Sequence, residues 1–162
     1  MAGRFHSQRD VDFFTTVTQE LVGNQQGGKD GIINQLVTVF QIDVRETPTN
    51  MYGEASQGKF YKPGVDLNCL IEAEDFDFTT ETFGPDRNQN ATFAFLRQSL
   101  IDADNFVVEI GDLIKWNYAY WEISSINENQ LVGGQFDQNY SAVASAFLTR
   151  LSNIQVENMR AI

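Results

Sequence analysis

The sequence is short of the residues that many enzymes use for chemistry. In 162 residues it has one histidine, His6, and one cysteine, Cys69. A Ser-His-Asp or Cys-His triad would have to use His6, which precedes the first predicted helix and is expected to be solvated. Cys69 lies on the apolar face of a predicted strand, where a thiol behaves as a small hydrophobic residue. We therefore expect no catalytic residue, no cofactor and no metal site, and a single cysteine excludes an intrachain disulfide.

Basic residues and long apolar runs are also scarce. Eleven Lys and Arg stand against 22 Asp and Glu, which gives a formal net charge of −11. A uniformly negative surface repels phosphate backbones, so a dedicated DNA- or RNA-binding protein is disfavoured. The sequence has no run of about 18 apolar residues and no apolar signal segment near Met1, which predicts neither membrane spanning nor secretion.

Aromatic residues, by contrast, are abundant. Thirteen Phe, five Tyr and two Trp occur in a chain with 42% hydrophobic and 20% charged residues, values near those of folded soluble domains. Large aromatic side chains favour strands and subunit interfaces. We expect residues 1–31 to form an N-terminal helical arm and linker, and residues 32–162 to form one β-barrel-like domain.

The first predicted element is a helix from Gln8 to Val22. Ser7 stands three residues before Asp10, which is typical of a helix N-terminus, and apolar residues follow at helical spacing as far as Gly23, a C-cap candidate. Residues 24–31 have little apolar content and no periodicity, so they predict a flexible linker. A helix on such a linker is free to dock on a neighbouring subunit rather than on its own domain.

The rest of the chain reads as short strands separated by turns. The predicted strands are 36–44, 65–73, 92–101 (with a helix as the alternative), 109–114, 120–123 and 140–151, with a short edge segment at 59–61. The acidic stretch 72–86 matches no calcium-loop spacing and predicts a solvated loop. The fold class is therefore mainly β, a small antiparallel β-barrel or sandwich with an N-terminal helix on a flexible arm.

Two parts of the sequence resemble neck proteins of tailed bacteriophages. Between Val37 and Glu72, two predicted strands flank a loop with the sequence Tyr-Gly-Glu at 52–54, which resembles head-closure or stopper proteins. The segments FGPDRN (83–88), EIGDLI (109–114) and YWEI (120–123) are similar, in the same order, to segments of the neck protein of T-even-type myoviruses. This resemblance spans about residues 37–156, is strongest at 83–126 and leaves out the N-terminal helix. The chain is shorter than the T-even protein, which puts segments that bind collar fibres in doubt.

The resemblance implies a non-enzymatic structural protein of the virion neck, assembled in the host cytoplasm. It implies a β-barrel-like core and a homo-oligomeric ring, expected to be a hexamer, between the portal or adaptor side and the tail terminator. Such a ring closes the DNA-filled head and provides the tail docking surface. The genomic DNA passes through its lumen without sequence-specific binding. An acidic lumen fits that passage, although the charge is equally explained by solubility.

Aromatic content near predicted loops suggests where copies touch. The expected interface residues are Phe13, Phe14, Tyr52, Phe60 and Tyr61. Different functions stay open from sequence alone. One is a ligand- or glycan-binding β-sandwich with a stacking platform built from Trp116, Tyr118, Tyr120 and Trp121, of which strand alternation lets only some face outward. Another is a tail terminator in the same neck, and a third is a hydrolase with paired carboxylates.

Overall fold

The computed structural model describes residues 7–53, 58–75, 77–81, 84–128 and 139–149, with 77–81 and 84–88 described by their backbone. The elements of this part of the chain are α1 (Gln8–Val22), β1 (Leu36–Phe40), β2 (Val65–Ala73), β3 (Asp77–Glu81), β4 (Gly84–Asn88), β5 (Asn90–Leu96), α2 (Arg97–Asp102), β6 (Leu113–Trp116), β7 (Ala119–Asn127) and β8 (Ser141–Thr149). Six strands close an antiparallel barrel in the order β1-β2-β5-β8-β7-β6, and β3 pairs with β4 in a separate two-stranded sheet. The predicted small barrel with an N-terminal helix is confirmed.

Large and small side chains alternate inside the barrel. Phe93 and Phe95 on β5 are fully buried and stand opposite Ala144 and Ala142 on β8. The small alanines leave room for the rings in a barrel of only six strands. Phe93 also contacts the two tryptophans of the core, with ring centroids 6.1 Å from each.

The sequence predictions of strands differ from the structure in several places, and one is the predicted strand 109–114, of which only Leu113 and Ile114 belong to a strand, β6. The segment 92–101, predicted as a strand or alternatively a helix, contains a strand followed by a helix, because β5 ends at Leu96 and α2 begins at Arg97. The loop predicted for 72–86 is wrong, since β3 and β4 form a hairpin there, with β4 running on to Asn88. The first strand ends at Phe40 rather than Val44 because the chain then leaves the barrel wall and packs outside it.

Helix α1 turns its polar side toward the protein. It begins at the predicted residue, where the Ser7 hydroxyl accepts a hydrogen bond from the Asp10 N–H. Gln19 and Val22 are buried, whereas four large apolar side chains are exposed to solvent: Phe13, Phe14, Val17 and Leu21. A surface helix usually packs its apolar stripe on the core, so α1 is inverted. Neither described helix is long and apolar enough to cross a membrane.

The segment 24–31, for which the sequence predicts a flexible linker, forms a turn with several contacts to the rest of the protein. Asn24 and Lys29 exchange backbone hydrogen bonds across a tight turn, and the buried Asn24 amide donates to the Asp102 carboxylate at 2.6 Å. Buried Asn68 on β2 accepts a hydrogen bond from the Gln25 N–H at 2.7 Å. A Cβ atom on Gly31 would lie 2.1 Å from the Gly23 nitrogen, so the returning chain packs backbone to backbone against the end of α1.

Candidate functional site

The reactive side chains of the described region do not converge. Among those residues no group of three or more His, Cys, Asp or Glu side chains is placed to hold a metal ion. His6 lies outside the described residues. Cys69 is fully buried on the inner face of β2, and burial raises the pKa of its thiol to about 12. Cys69 is therefore a packing residue of the hydrophobic core, as the strand pattern predicted.

The native protein is expected to resist thiol reagents at neutral pH. A thiol with a pKa far above neutrality and no solvent contact has almost no thiolate available for attack. Mass spectrometry should find Cys69 unmodified by a maleimide in buffer and fully modified in denaturant. A Tyr118→Cys variant is the control, because Tyr118 is 98% exposed and should be labelled at once. Rapid labelling of Cys69 in the folded protein would contradict its placement.

Asp112 fastens the loop that follows β1 to the barrel. Its carboxylate is buried and accepts backbone hydrogen bonds from the N–H groups of Ile42 at 2.9 Å and Glu109 at 2.8 Å. Burial raises the pKa of this carboxyl group, while the two backbone hydrogen bonds oppose that shift. Burial, followed by the nearby charges of Glu122 and Asp112, also raises the pKa of Tyr61. These groups hold a loop in place and form no acid–base pair with an open site.

The raised pKa of Asp112 predicts a pH-dependent stability difference. A carboxyl group whose folded pKa exceeds its unfolded value, 3.8, stabilises the fold most below that value and loses this contribution as pH rises through the folded pKa. The free energy of unfolding of the native chain, relative to a non-titrating Asp112→Asn variant, should therefore fall between acidic and neutral pH. Urea unfolding of both proteins at matched pH values tests this. A difference that grows with pH would contradict the predicted sign.

The stacking platform considered for a glycan-binding protein does not form. Trp121 is buried and packs against Trp116, with ring centroids 5.7 Å apart, inside the barrel core. Tyr120 points outward but is half-buried against Phe40. Tyr118 alone is largely exposed, because it lies with Asn117 at positive φ in the β6–β7 turn. A single exposed ring is no platform.

One exposed apolar surface lies on α1 and the segment that follows its turn. Ile32 and Ile33 donate backbone hydrogen bonds to the carbonyl groups of Glu20 and Leu21, which brings them beside the last turn of the helix. The large exposed apolar side chains here, called the helix patch, are Phe13, Phe14, Val17, Leu21, Ile32 and Ile33. A continuous apolar surface on a folded protein marks a contact site more often than scattered exposed residues do.

A second exposed apolar surface lies on the loop 41–53. The base of this loop and the returning segment cover the outside of β6 and β7, where Tyr61 packs with Leu113 and Tyr120 and Lys59 forms a salt bridge with Glu122. Farther out, three apolar side chains of the same loop are strongly exposed and are together called the loop patch: Val44, Met51 and Tyr52.

The five expected interface residues thus have different positions. Phe13, Phe14 and Tyr52 are exposed, whereas Phe60 is half-buried. Tyr61 is 4% exposed and belongs to the chain's own core, because the loop folds back onto the barrel. The sequence prediction that Tyr61 contacts another copy is therefore corrected by the structure.

Comparison with known proteins gives a weak structural similarity and no family. No protein-family model and no curated protein matches the chain. Among solved structures, the chain is similar to one from the "Virion of native gene transfer agent (GTA) particle", with 9% sequence identity and a TM-score of 0.44. The match covers 72% of this chain and 94% of that one. Similarity at this level carries no functional argument.

Sequence reasoning missed four of the six residues of the helix patch. The helical spacing identified Val17 and Leu21 as apolar positions, and the natural expectation for such positions is burial. Their exposure follows from the polar contacts of Gln19 and Asn24 on the opposite side of α1. Ile32 and Ile33 carried no signal, because only the backbone hydrogen bonds to α1 place them on the same surface.

Proposed function

We propose that the chain is a structural, non-enzymatic subunit of a phage-like virion, and more specifically a neck protein. In this proposal several copies, six by analogy with the neck proteins it resembles, form a ring between the portal or adaptor side and the tail terminator. The ring closes the DNA-filled head, offers the surface on which the tail docks and leaves a lumen for the genome.

The observation that carries the proposal is the inverted helix. Within the described part of the chain nothing covers the outward apolar side of α1, because the inner side is already committed to hydrogen bonds between Asn24 and Asp102 and between Lys29 and Gln19. An exposed apolar surface of this extent is a protein-contact surface. A subunit that self-associates would bury this apolar surface against a neighbouring copy.

The sequence resemblance gives the more specific part of the proposal. The segments that resemble the T-even neck protein include the whole of β4, the first half of β6 and most of the first half of β7, and β6 and β7 are neighbours in the barrel wall. The barrel that the resemblance implies is the architecture of the chain. A tail terminator in the same neck is the nearest alternative, and its different binding partners separate the two.

Light scattering across a concentration series tests the proposal. The purified protein is measured alone, then with the adaptor-side and the tail-side components of the neck. A discrete ring that binds both sides is expected, together with DNA retention by filled heads only when the protein is present. Binding to the tail tube alone would favour a terminator. A monomer that ignores both components would refute the neck assignment.

A further inference from the structure

We infer that the helix patch of one copy binds the loop patch of the next copy around the ring. The inference rests on the proposed ring assembly and adds the surfaces that hold it together. The occupant of each patch is therefore a second copy of this chain, contacted through a different surface.

The two patches lie on opposite sides of the barrel. Helix α1 packs against β2 and β5, and Gln25 in its turn is bonded to Asn68 of β2. The loop 41–53 is fastened beside β6 by Asp112 and beside β7 through Lys59 and Glu122. In the closed order β1-β2-β5-β8-β7-β6, the strands β2 and β7 are three positions apart, as are β5 and β6. Three positions in a six-stranded barrel is half of its circumference.

Unlike surfaces on opposite sides suit a ring. A contact between different surfaces of identical copies is head to tail, and it closes into a ring when the rotation between copies permits. A contact of the helix patch with itself would instead produce a two-fold dimer and leave the loop patch in water. One head-to-tail contact removes both patches from water in every copy.

The extent of the patches is adequate for such a contact. With about 150–250 Å² for each aromatic side chain and somewhat less for aliphatic ones, the exposed fractions give roughly 600 Å² for the helix patch and roughly 400 Å² for the loop patch. A stable protein interface buries about 800 Å² on each partner, including its polar rim. The apolar centres therefore account for a large part of what is needed.

Charge favours the head-to-tail pairing over helix against helix. Around the helix patch, the carboxylates Asp10 and Glu20 stand against one nearby cation outside the turn, Arg9, which forms a salt bridge with Asp10. On the loop side Arg45 and Lys62 lie beside Val44, together with the carboxylates of Asp43 and Glu109. In a chain of net charge −11, two acidic helix sides repel each other, whereas the loop side offers two cations to an acidic helix side.

Strand addition offers no competing route within the six-stranded barrel. Each of its strands has a hydrogen-bonded neighbour on both sides, so the wall has no free edge on which another copy could pair. Copies that meet through the barrel wall therefore do so through side chains.

Directed cross-linking tests the pairing. Val17→Cys and Met51→Cys are prepared as separate proteins, mixed under ring-forming conditions with the neck components if these are required, and oxidised. A second pair, Leu21→Cys with Tyr52→Cys, is included in case the first two cysteines are too far apart or wrongly oriented to form a disulfide. The native Cys69 is buried and should not interfere. A Phe147→Cys variant on β8, which belongs to neither patch, is the control to mix with Met51→Cys.

The expected result is a cross-link between the Val17→Cys and Met51→Cys proteins, with none in either protein alone and none to Phe147→Cys. A protein carrying both substitutions should give a ladder that ends at the ring's copy number. Dimers of Val17→Cys alone would overturn the inference in favour of a two-fold contact. Rings without a cross-link in either pair would overturn the inference and leave the neck assignment standing. Absence of any ring, with or without partners, would overturn both.

Two substitutions that each remove an apolar side chain from one patch test the contact independently. Leu21→Ser and Met51→Ser should each weaken assembly by about 10- to 100-fold, the range for losing a central apolar contact in an interface. Phe147→Ser should leave assembly unchanged, although Phe147 is 40% exposed. Circular dichroism confirms that each variant is folded. Unchanged assembly of both folded patch variants would count against the proposed contact.

Discussion

Replacing Phe93 with Ala is expected to lower the free energy of unfolding by about 3–5 kcal/mol, the usual cost of removing a buried aromatic ring. Phe93 is fully buried, and its ring lies in edge contact with both Trp116 and Trp121. Its neighbour across the strand pair is Ala144, which is too small to fill the space. In a chain of this length, the melting temperature should fall by roughly 10 °C, as measured by calorimetry.

The matched control is Phe147→Ala on β8. The same atoms are removed from the same barrel, but Phe147 faces outward, so the loss should stay near or below about 1 kcal/mol. Tryptophan fluorescence gives a second check, because the packing of Trp116 and Trp121 should change only in the Phe93 variant. Equal destabilisation by both substitutions would mean that Phe93 is not at the centre of the core.

Replacing Asn68 with Ala is expected to release the turn that follows α1. The Asn68 side chain accepts a hydrogen bond from the Gln25 N–H at 2.7 Å and donates one to the Asn34 side chain at 2.9 Å. Losing a buried partner costs about 1–3 kcal/mol. A loss of about 2 kcal/mol corresponds to roughly 30-fold faster hydrogen exchange of the backbone amides in residues 24–31.

The control for this local effect is Asn90→Ala. Asn90 is exposed and its side chain donates to Glu74 at 3.1 Å, so exchange in residues 24–31 should stay as in the native protein. Mass spectrometry after short labelling times separates the two outcomes. Fast exchange of the same amides in the unaltered protein would restore the flexible linker that the sequence predicts.

The barrel was predictable because its strands carry a clear local signal. Val65 to Ala73 alternates apolar and polar residues, and β2 occupies that range. Helix α1 has both its cap and its periodicity in the sequence and begins and ends as predicted. Local pattern is sufficient where each segment has one apolar side and a single neighbouring surface to bury it against.

The candidate site was only partly predictable, because it depends on contacts far apart in sequence. Residues 24–31 look like a linker, and their order comes from Asn68 and Asp102, which lie some 40 and 80 positions away. Tyr61 reads as a loop aromatic, and its burial depends on Leu113 and Tyr120 of other strands. Periodicity locates an apolar stripe on a helix but does not say whether the stripe faces inward.

The closed wall of the barrel separates folding from assembly. Every strand of that wall finds its hydrogen-bond partners within the same chain, so the barrel can close before one copy meets another. In the ring proposed above, folded single copies would therefore leave or rejoin the assembly without unfolding. Mild denaturant or dilution should disperse the assembly well before the barrel melts, and returning the conditions should rebuild it from intact parts.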